Sequence, residues 1–150
     1  MKIKGCELKN ETVLEIGRFA ILWNCFERNC CNNNCNPSSI KKISGSIQLD
    51  MEKQENLANV LNERRSWFGQ LESDYVENSL HPGNARNSSE DDMAIMCRFL
   101  EQRGNNLACG CLLVIHRIRN NLMHGLKLLY QLDEQIELSR AANEVLESIR

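Results

Sequence analysis

The chain has 150 residues, of which 42% are hydrophobic and 25% are charged, the ordinary balance of a globular domain with a sizeable core. Its formal net charge of −2 excludes a global positive field that would draw the protein to nucleic acid or to a membrane. No apolar run approaches the length of a membrane span, and residues 1–17 lack the apolar core of a signal peptide. We therefore expect one domain over residues 1–150, with no membrane contact and a cytoplasmic location.

The first predicted helix follows Asn10 or Thr12, either of which can cap it, and Glu15 completes a capping box with Thr12. Apolar residues then recur at helical spacing, and the predicted buried face consists of Ile16, Phe19, Ala20, Trp23 and Phe26. We expect this helix to end near Asn29. The asparagines, serines and proline that follow predict a loop over residues 29–48.

A second helix is predicted from Asp50, with apolar positions at Met51, Leu57, Val60, Leu61 and Phe68. A second loop is expected over residues 74–88. The third helix begins at Ser88 or Ser89, and the acids Glu90–Asp92 favour its amino end rather than catalysis. Its predicted buried side consists of Met93, Met96, Cys97 and Leu100. Gly104 then closes the helix with a short turn.

The central helix is predicted from about Leu107. Its buried stripe is expected at Cys111, Ile115, Ile118, Leu122 and Leu129. A last helix begins near Asp133 and runs through Ile136, Ala141, Ala142, Val145 and Ile149. These elements predict an all-α fold, a four- to five-helix up-and-down bundle with short turns.

The eight cysteines, without a secretion signal, do not predict a disulfide framework. Four of them lie within eleven residues, at Cys25, Cys30, Cys31 and Cys35, and in principle can hold zinc. Their spacing matches no paired zinc knuckle, so a cysteine-rich helix end that runs into a loop is the favoured interpretation. We predict neither a metal site nor a cofactor.

The central helix also carries the candidate functional site. No acidic residue occurs from Gly104 to Leu132, although the whole chain is slightly acidic. Polar side chains recur at four-residue steps, and therefore on one side of the helix, at His116, Asn120 and His124. Cations flank or follow this line at Arg117, Arg119 and Lys127. A core helix rarely gathers such groups without counter-charge, so this segment is the best candidate for a site.

The order arginine, asparagine, three further residues and histidine, from Arg119 through Asn120 to His124, resembles the motif of the HEPN superfamily. Members of that superfamily are small helical bundles in which an arginine, four residues and a histidine form a ribonuclease site. The string VIHRIRNNLMHGLK, late in a long amphipathic helix, strengthens the resemblance. The helical layout is similar from about Thr12 to Ser148, so the resemblance implies an HEPN-like bundle.

The resemblance implies a metal-independent endoribonuclease whose catalytic residues are Arg119, Asn120 and His124. Arginine can hold a phosphate with two hydrogen bonds, histidine transfers protons near neutral pH, and asparagine orients either group. The ribose 2′-hydroxyl attacks the phosphate, and the products are 2′,3′-cyclic phosphate and 5′-hydroxyl ends. Secondary candidates that contact the RNA are His116, Arg117 and Lys127.

Geometry adds a requirement for a second copy. On an ideal helix Arg119 and His124 point about 140° apart and are about 7.5 Å apart along the axis, so one helix makes a sparse site. A two-fold dimer brings two copies of the segment together in one cleft. HEPN ribonucleases resemble this arrangement, so we expect a homodimer with the central helix at its interface.

Each candidate residue also has a plainer interpretation. His124 can cap a helix end, and Arg119 can pair with an acid of the last helix, such as Glu137 or Glu144. His116 is more readily explained as an interface or partly buried histidine. Arg117 and Lys127 either track the RNA backbone or are ordinary surface charges.

The resemblance also implies a toxin or phage-defence effector, controlled by an antitoxin or another regulatory protein. Some members are controlled by modification of a tyrosine two residues after the histidine, but Leu126 stands at that position here. Two alternatives stay open: a non-catalytic HEPN-like module that binds RNA or a nucleotide, and a helical interaction or dimerisation protein. The net charge of −2 favours these two slightly, while the acid-free helix favours RNA cleavage or binding.

Overall fold

The computed structural model describes residues 1–3, 5–68, 90–123 and 132–150. In chain order the elements are β1 (Lys2–Ile3), β2 (Cys6–Glu7), α1 (Asn10–Cys30), α2 (Pro37–Ile43), a 3-10 turn (Ser44–Ser46), α3 (Met51–Phe68), α4 (Glu90–Glu101), α5 (Leu107–Met123) and α6 (Ile136–Glu147). Apart from the antiparallel β1–β2 hairpin, the regular structure in these ranges is helical, so the expected all-α class is confirmed. None of the helices described is long and apolar enough to cross a membrane. The loop expected over residues 74–88 lies outside the described residues, and the single domain stays a prediction.

The central helix α5 lies inside the hydrophobic core. Every residue from Cys109 to Ile115 is buried, so no side of the helix faces solvent at this level. α4 packs against α5, as do α2 and the 3-10 turn. The predicted stripe is confirmed at Cys111, Ile115 and Ile118, Leu122 is partly buried, and Leu129 lies outside the described residues. The buried surface is wider than one stripe because several elements cover α5.

Gly110 allows α4 and α5 to approach each other closely. A Cβ added at this position would lie 2.7 Å from the carbonyl oxygen of Ile95 and 2.7 Å from the Cβ of Phe99. The Ile95 oxygen is a backbone atom, and the Phe99 Cβ is bonded directly to the backbone. Neither atom can therefore move unless α4 shifts. The missing side chain at Gly110 therefore sets the depth at which α5 sits in the core.

Of the predicted core positions in α1, α3 and α4, seven are buried, four are partly buried and two are exposed and therefore wrong, while the side chain of Phe68 lies outside the described part of the chain. The confirmed positions are Phe19, Trp23, Phe26, Leu57, Leu61, Met96 and Leu100. Ala20 is exposed because it is rotated by about 100° from Phe19, whose side chain faces the core. Met51 is 65% exposed at the first residue of α3, one turn before the buried part of that helix begins.

The predicted capping box of α1 is wrong, because Thr12 and Glu15 bind partners from the end of the chain. The helix begins at Asn10, and Lys9 provides no side-chain cap. Instead, the Asp133 carboxylate accepts hydrogen bonds from the backbone N–H of Lys9 at 3.1 Å and from Oγ1 of Thr12 at 2.5 Å. These hydrogen bonds, chiefly that from Thr12, lower the pKa of Asp133. The start of α1 is thereby tied to the segment that precedes α6.

Glu15 joins α1 to α6. The fully buried Asn143 donates from Nδ2 to the Glu15 carboxylate at 2.8 Å and to the Glu15 carbonyl oxygen at 3.0 Å. Arg18 and Arg140 lie 3.3 and 3.5 Å from the same carboxylate. Burial raises the pKa of Glu15, but the Asn143 hydrogen bond and the two arginines outweigh it and hold the pKa below its usual value of 4.5.

Part of the predicted loop over residues 29–48 is helical. α2 begins at Pro37, a first helical position where the missing N–H costs nothing. Asn36 Oδ1 accepts from the backbone N–H of Ser39 at 2.9 Å, and Ser39 Oγ accepts from the backbone N–H of Asn36 at 2.9 Å. These residue types also favour turns, which is why composition predicted a loop.

The acids at the start of α4 do more than favour a helix end. Asp92 is 5% exposed, and its Oδ1 lies 2.6 Å from Nζ of Lys41 on α2. The hydrogen bond with Asp92 raises the pKa of Lys41. Besides its place at the amino end of α4, Asp92 therefore forms an ion pair that joins α2 to α4.

We expect Gly110→Ala to lower the free energy of unfolding by about 1–3 kcal/mol, the usual cost of overpacking a core. Gly17→Ala is the matched control, because Gly17 is also helical but has nothing within 4 Å of an added Cβ. At that open position the substitution is expected to stabilise the protein by about 0.5–1 kcal/mol. Urea unfolding at one dilute protein concentration measures both effects, and equal shifts would contradict the role of Gly110.

We expect the stability contributed by Glu15 to be lost as the pH falls. Because folding lowers its pKa, this contribution is complete above the usual pKa of 4.5 and decreases as the pH falls through and below that value. Glu15→Gln should therefore be less stable than wild type at pH 7, and the difference should shrink toward pH 3. Urea unfolding across this range measures the difference. The control Glu55→Gln, at an exposed carboxylate of α3, should leave the wild-type profile unchanged; a constant Glu15→Gln difference across the range would contradict the assignment.

Candidate functional site

The described part of the candidate site is the carboxyl-terminal end of α5. Arg119 and Asn120 are both half-buried in its last two turns, where the helix emerges from the core. His124 and Lys127 lie outside the described residues, so their proposed roles stay predictions. The structure therefore describes two of the three residues of the arginine–asparagine–histidine motif.

Arg119 and Asn120 are in direct contact. Nη1 of Arg119 donates a hydrogen bond to Oδ1 of Asn120 at 3.1 Å. Sequential residues on a helix point about 100° apart, so the arginine has to turn sideways to make this bond. The guanidinium is thereby directed toward the side of α5 that carries Asn120, which is the side predicted to carry His124.

The guanidinium of Arg119 has a donor without an acceptor. Its Nε is buried and has no hydrogen-bond partner in the described part of the chain. A buried donor left unpaired costs about 1–3 kcal/mol, and such groups in native structures call for an explanation such as a ligand. A phosphate oxygen is an acceptor of the kind that this group lacks.

The alternative partner of Arg119 on the last helix is not observed. Glu144 instead accepts from Nζ of Lys53 at 3.4 Å. Within residues 1–3, 5–68, 90–123 and 132–150, no ion pair joins Arg119 to a carboxylate, and Glu137 is exposed. The positive charge at the end of α5 is therefore not neutralised by the acids that this part of the structure contains.

His116 packs against the core rather than standing in an open cleft. It is half-buried, and its ring lies 5.9 Å from the ring of Trp23, centroid to centroid, with an interplanar angle of 38°. This agrees with the interpretation of His116 as a partly buried histidine. Helical periodicity predicted that Trp23 is buried but gave no signal for this contact, because no pattern along one helix indicates which residue of another helix it meets.

Arg117 does not match either sequence interpretation. It is 4% exposed, so its guanidinium is neither a surface charge nor open to an RNA backbone. The cause is its position on α5, three residues after Val114 and four after Leu113, both of which are buried. Asn121, four residues after Arg117, is buried as well. Of the two asparagines at this end of α5, Asn120 is therefore the more accessible.

Cys31 and Cys35 form a disulfide bond, which the sequence did not predict. α1 ends at Cys30, and the chain then turns back through Asn32 and Asn33, whose φ angles of 52° and 66° are left-handed. The turn brings the two sulfurs together. Two of the four thiols needed for a zinc site are thus bonded to each other. In the described ranges, no group of three or more histidine, cysteine or acidic side chains is placed to hold a metal ion.

No protein-family model matches the chain, and no curated protein or solved structure matches it significantly. The assignment of the site therefore depends on the residues of this chain and on their geometry.

We expect Cys35→Ser to lower the free energy of unfolding by about 2 kcal/mol, the value that loop-closure entropy gives for so short a bridge. Reductant should destabilise wild type by a similar amount and leave Cys35→Ser unchanged. Cys25→Ser is the matched control, because Cys25 is an exposed free thiol, and it should behave like wild type with and without reductant. Urea unfolding measures all six free energies, and a Cys35→Ser protein that still responds to reductant would contradict the assignment of the bridge.

Proposed function

We propose that this chain is a metal-independent endoribonuclease with an HEPN-like helical bundle, and that its catalytic residues are Arg119, Asn120 and His124. The observation that carries the proposal is the hydrogen bond from Arg119 to Asn120 at 3.1 Å. This hydrogen bond orients the Arg119 guanidinium toward one side of α5. The guanidinium has no acidic partner in the described residues. The resemblance of the motif to that of HEPN ribonucleases supplies the chemistry.

In the proposed reaction Arg119 binds the scissile phosphate and stabilises the charge that develops on it. The ribose 2′-oxygen forms a bond to phosphorus while the bond from phosphorus to the 5′-oxygen breaks. A proton leaves the 2′-hydroxyl, and another is delivered to the departing 5′-oxygen. His124 is the proposed group that transfers these protons, because histidine side chains ordinarily exchange protons near neutral pH. Asn120 fixes the direction of the guanidinium.

A homodimer completes the proposed site. Because Arg119 and His124 are five residues apart, the two groups from one helix do not converge well, and a second copy of the segment supplies the missing pair. Free RNA cleavage harms a host cell, so a toxin or phage-defence role, held in check by an antitoxin or another regulatory protein, fits this activity.

A second candidate is a non-catalytic HEPN-like module that binds RNA or a nucleotide, or that only dimerises. The burial of Arg117 favours it, because one predicted contact with the RNA backbone is lost from a chain whose net charge is already −2. In this case Arg119 still holds a phosphate, but no bond is broken.

We expect the purified protein to cleave single-stranded RNA in EDTA and to leave DNA of the same sequence intact, since DNA lacks the 2′-hydroxyl. Arg119→Ala and His124→Ala should each lower the rate by at least about 100-fold. Arg119→Lys should restore little of this activity, because lysine keeps the charge but not the two-pronged hydrogen bonding. Arg150→Ala, at an exposed arginine, is the matched control and should cleave like wild type.

Gel analysis of end-labelled RNA measures the rates, and the ends of the products identify the reaction. Equal cleavage by wild type, Arg119→Ala and His124→Ala would overturn the catalytic assignment. RNA binding that depends on Arg119, without cleavage, would favour the binding module. Cleavage that disappears in EDTA would contradict the metal-independent mechanism.

A further inference from the structure

The outward side of α1 carries exposed apolar and small residues. Leu14 is 71% exposed and Ile21 is 67% exposed, and Gly17 between them has nothing within 4 Å of an added Cβ. The exposed thiol of Cys25 follows Ile21 by four residues. Intervals of three and four residues place these positions on one side of the helix. We name this surface, made of Leu14, Gly17, Ile21 and Cys25, the α1 outer face.

Opposite charges lie at the two ends of the α1 outer face. Glu11 is exposed and comes three residues before Leu14, while Arg28 is exposed and comes three residues after Cys25. In the part of the chain that the structure describes, neither side chain takes part in an ion pair. Because one end is negative and the other positive, the face is complementary in charge to an antiparallel copy of itself.

One two-fold axis would bring the whole α1 outer face into register with the same face of a second copy. When Glu11 lies opposite Arg28 of a second copy, Leu14 lies opposite Cys25 of that copy, because both pairs are centred midway between Phe19 and Ala20. Gly17 and Ile21 lie close to this centre, where the missing side chain of the glycine leaves room for the isoleucine. The contact extends for about 26 Å along the helix, from Glu11 to Arg28.

We propose that the α1 outer face binds the same face of a second copy of this chain, as an antiparallel helix pair about a two-fold axis. Leu14 and Ile21 are then removed from water, and the charges of Glu11 and Arg28 pair between copies at both ends. One helix pair is at the small end of the range of stable interfaces, so the association is reversible and depends on concentration.

This interface is separate from the proposed ribonuclease site. The buried side of α1 contacts α5 through Trp23 and His116, so the outer face is directed away from α5. A pair formed through α1 does not bring two α5 helices together. The inference therefore goes beyond the proposed function, and a composite ribonuclease site requires a second interface at α5.

The first test is the molar mass in solution, measured by light scattering during size-exclusion chromatography. Ile21→Glu places a charged carboxylate from each copy, two in all, near the apolar centre of the antiparallel pair and should halve the mass of the assembly. Met51→Glu is the matched control, because Met51 is also an exposed apolar residue, 65% exposed, but lies on α3, and it should leave the mass unchanged. An Ile21→Glu protein with the wild-type mass, or a monomeric wild type at high concentration, would overturn the proposal. RNA cleavage on the same samples is a separate result, so failure of either proposal is recognised independently.

The second test examines the register. Leu14→Cys places a new thiol opposite Cys25 of the second copy, and the thiol oxidant diamide should then join the copies. Two thiols form one disulfide, and their two electrons and two protons reduce the diamide to a hydrazine. Non-reducing electrophoresis should show a covalent dimer for Leu14→Cys but neither for wild type nor for Leu14→Cys combined with Cys25→Ser. A cross-link that persists without Cys25, or no cross-link in Leu14→Cys, would contradict this register.

Discussion

The close approach of α4 to α5 at Gly110 determines where α5 can carry a function. With Ile95 and Phe99 only 2.7 Å from the position of an added Cβ, the first half of α5 is locked inside the core. Residues 109–115 are buried on all sides, and only beyond Ile115 do half-buried polar residues appear. A site on this helix therefore has to lie at its carboxyl-terminal end, where Arg119 and Asn120 contact each other. The packing that stabilises the fold also confines the candidate chemistry to that end.

Five acids in the described part of the chain connect one helix, or the segment before it, to another. Asp92 pairs with Lys41, Glu15 accepts from Asn143, and Asp133 accepts from Thr12. Two acids of α6 are occupied in the same way, Glu144 by Lys53 and Glu147 by Arg18. Asp92 is buried and Glu15 is partly buried, and carboxylates in such places are costly unless they are paired. These carboxylates are therefore paired at other places in the fold, and Arg119 has no carboxylate partner in the described part of the chain.

The two proposed surfaces have different physical origins. The proposed site at the end of α5 is polar: a neighbouring amide orients a guanidinium whose Nε has no partner in the described residues. The α1 outer face is an apolar strip with opposite charges at its ends. It would be stabilised by burial of its apolar side chains rather than by a ligand. They lie on different sides of the fold because α1 directs Trp23 toward α5 and Leu14 and Ile21 away from it. Assembly through α1 and chemistry at α5 can therefore vary independently.

Helical periodicity was sufficient to predict the all-α class, the existence of the long helices and most of their buried positions, because those properties depend on the spacing of apolar residues along one segment. The neighbouring positions of Arg119 and Asn120 were also evident from the sequence, because sequential residues on a helix have a fixed separation and rotation. Tertiary structure alone decided the rest. It buried Arg117, placed His116 against Trp23, and made Asp133 the hydrogen-bond partner of Thr12. Each of these contacts depends on where a distant segment lies after folding. No local pattern of residues encodes that position.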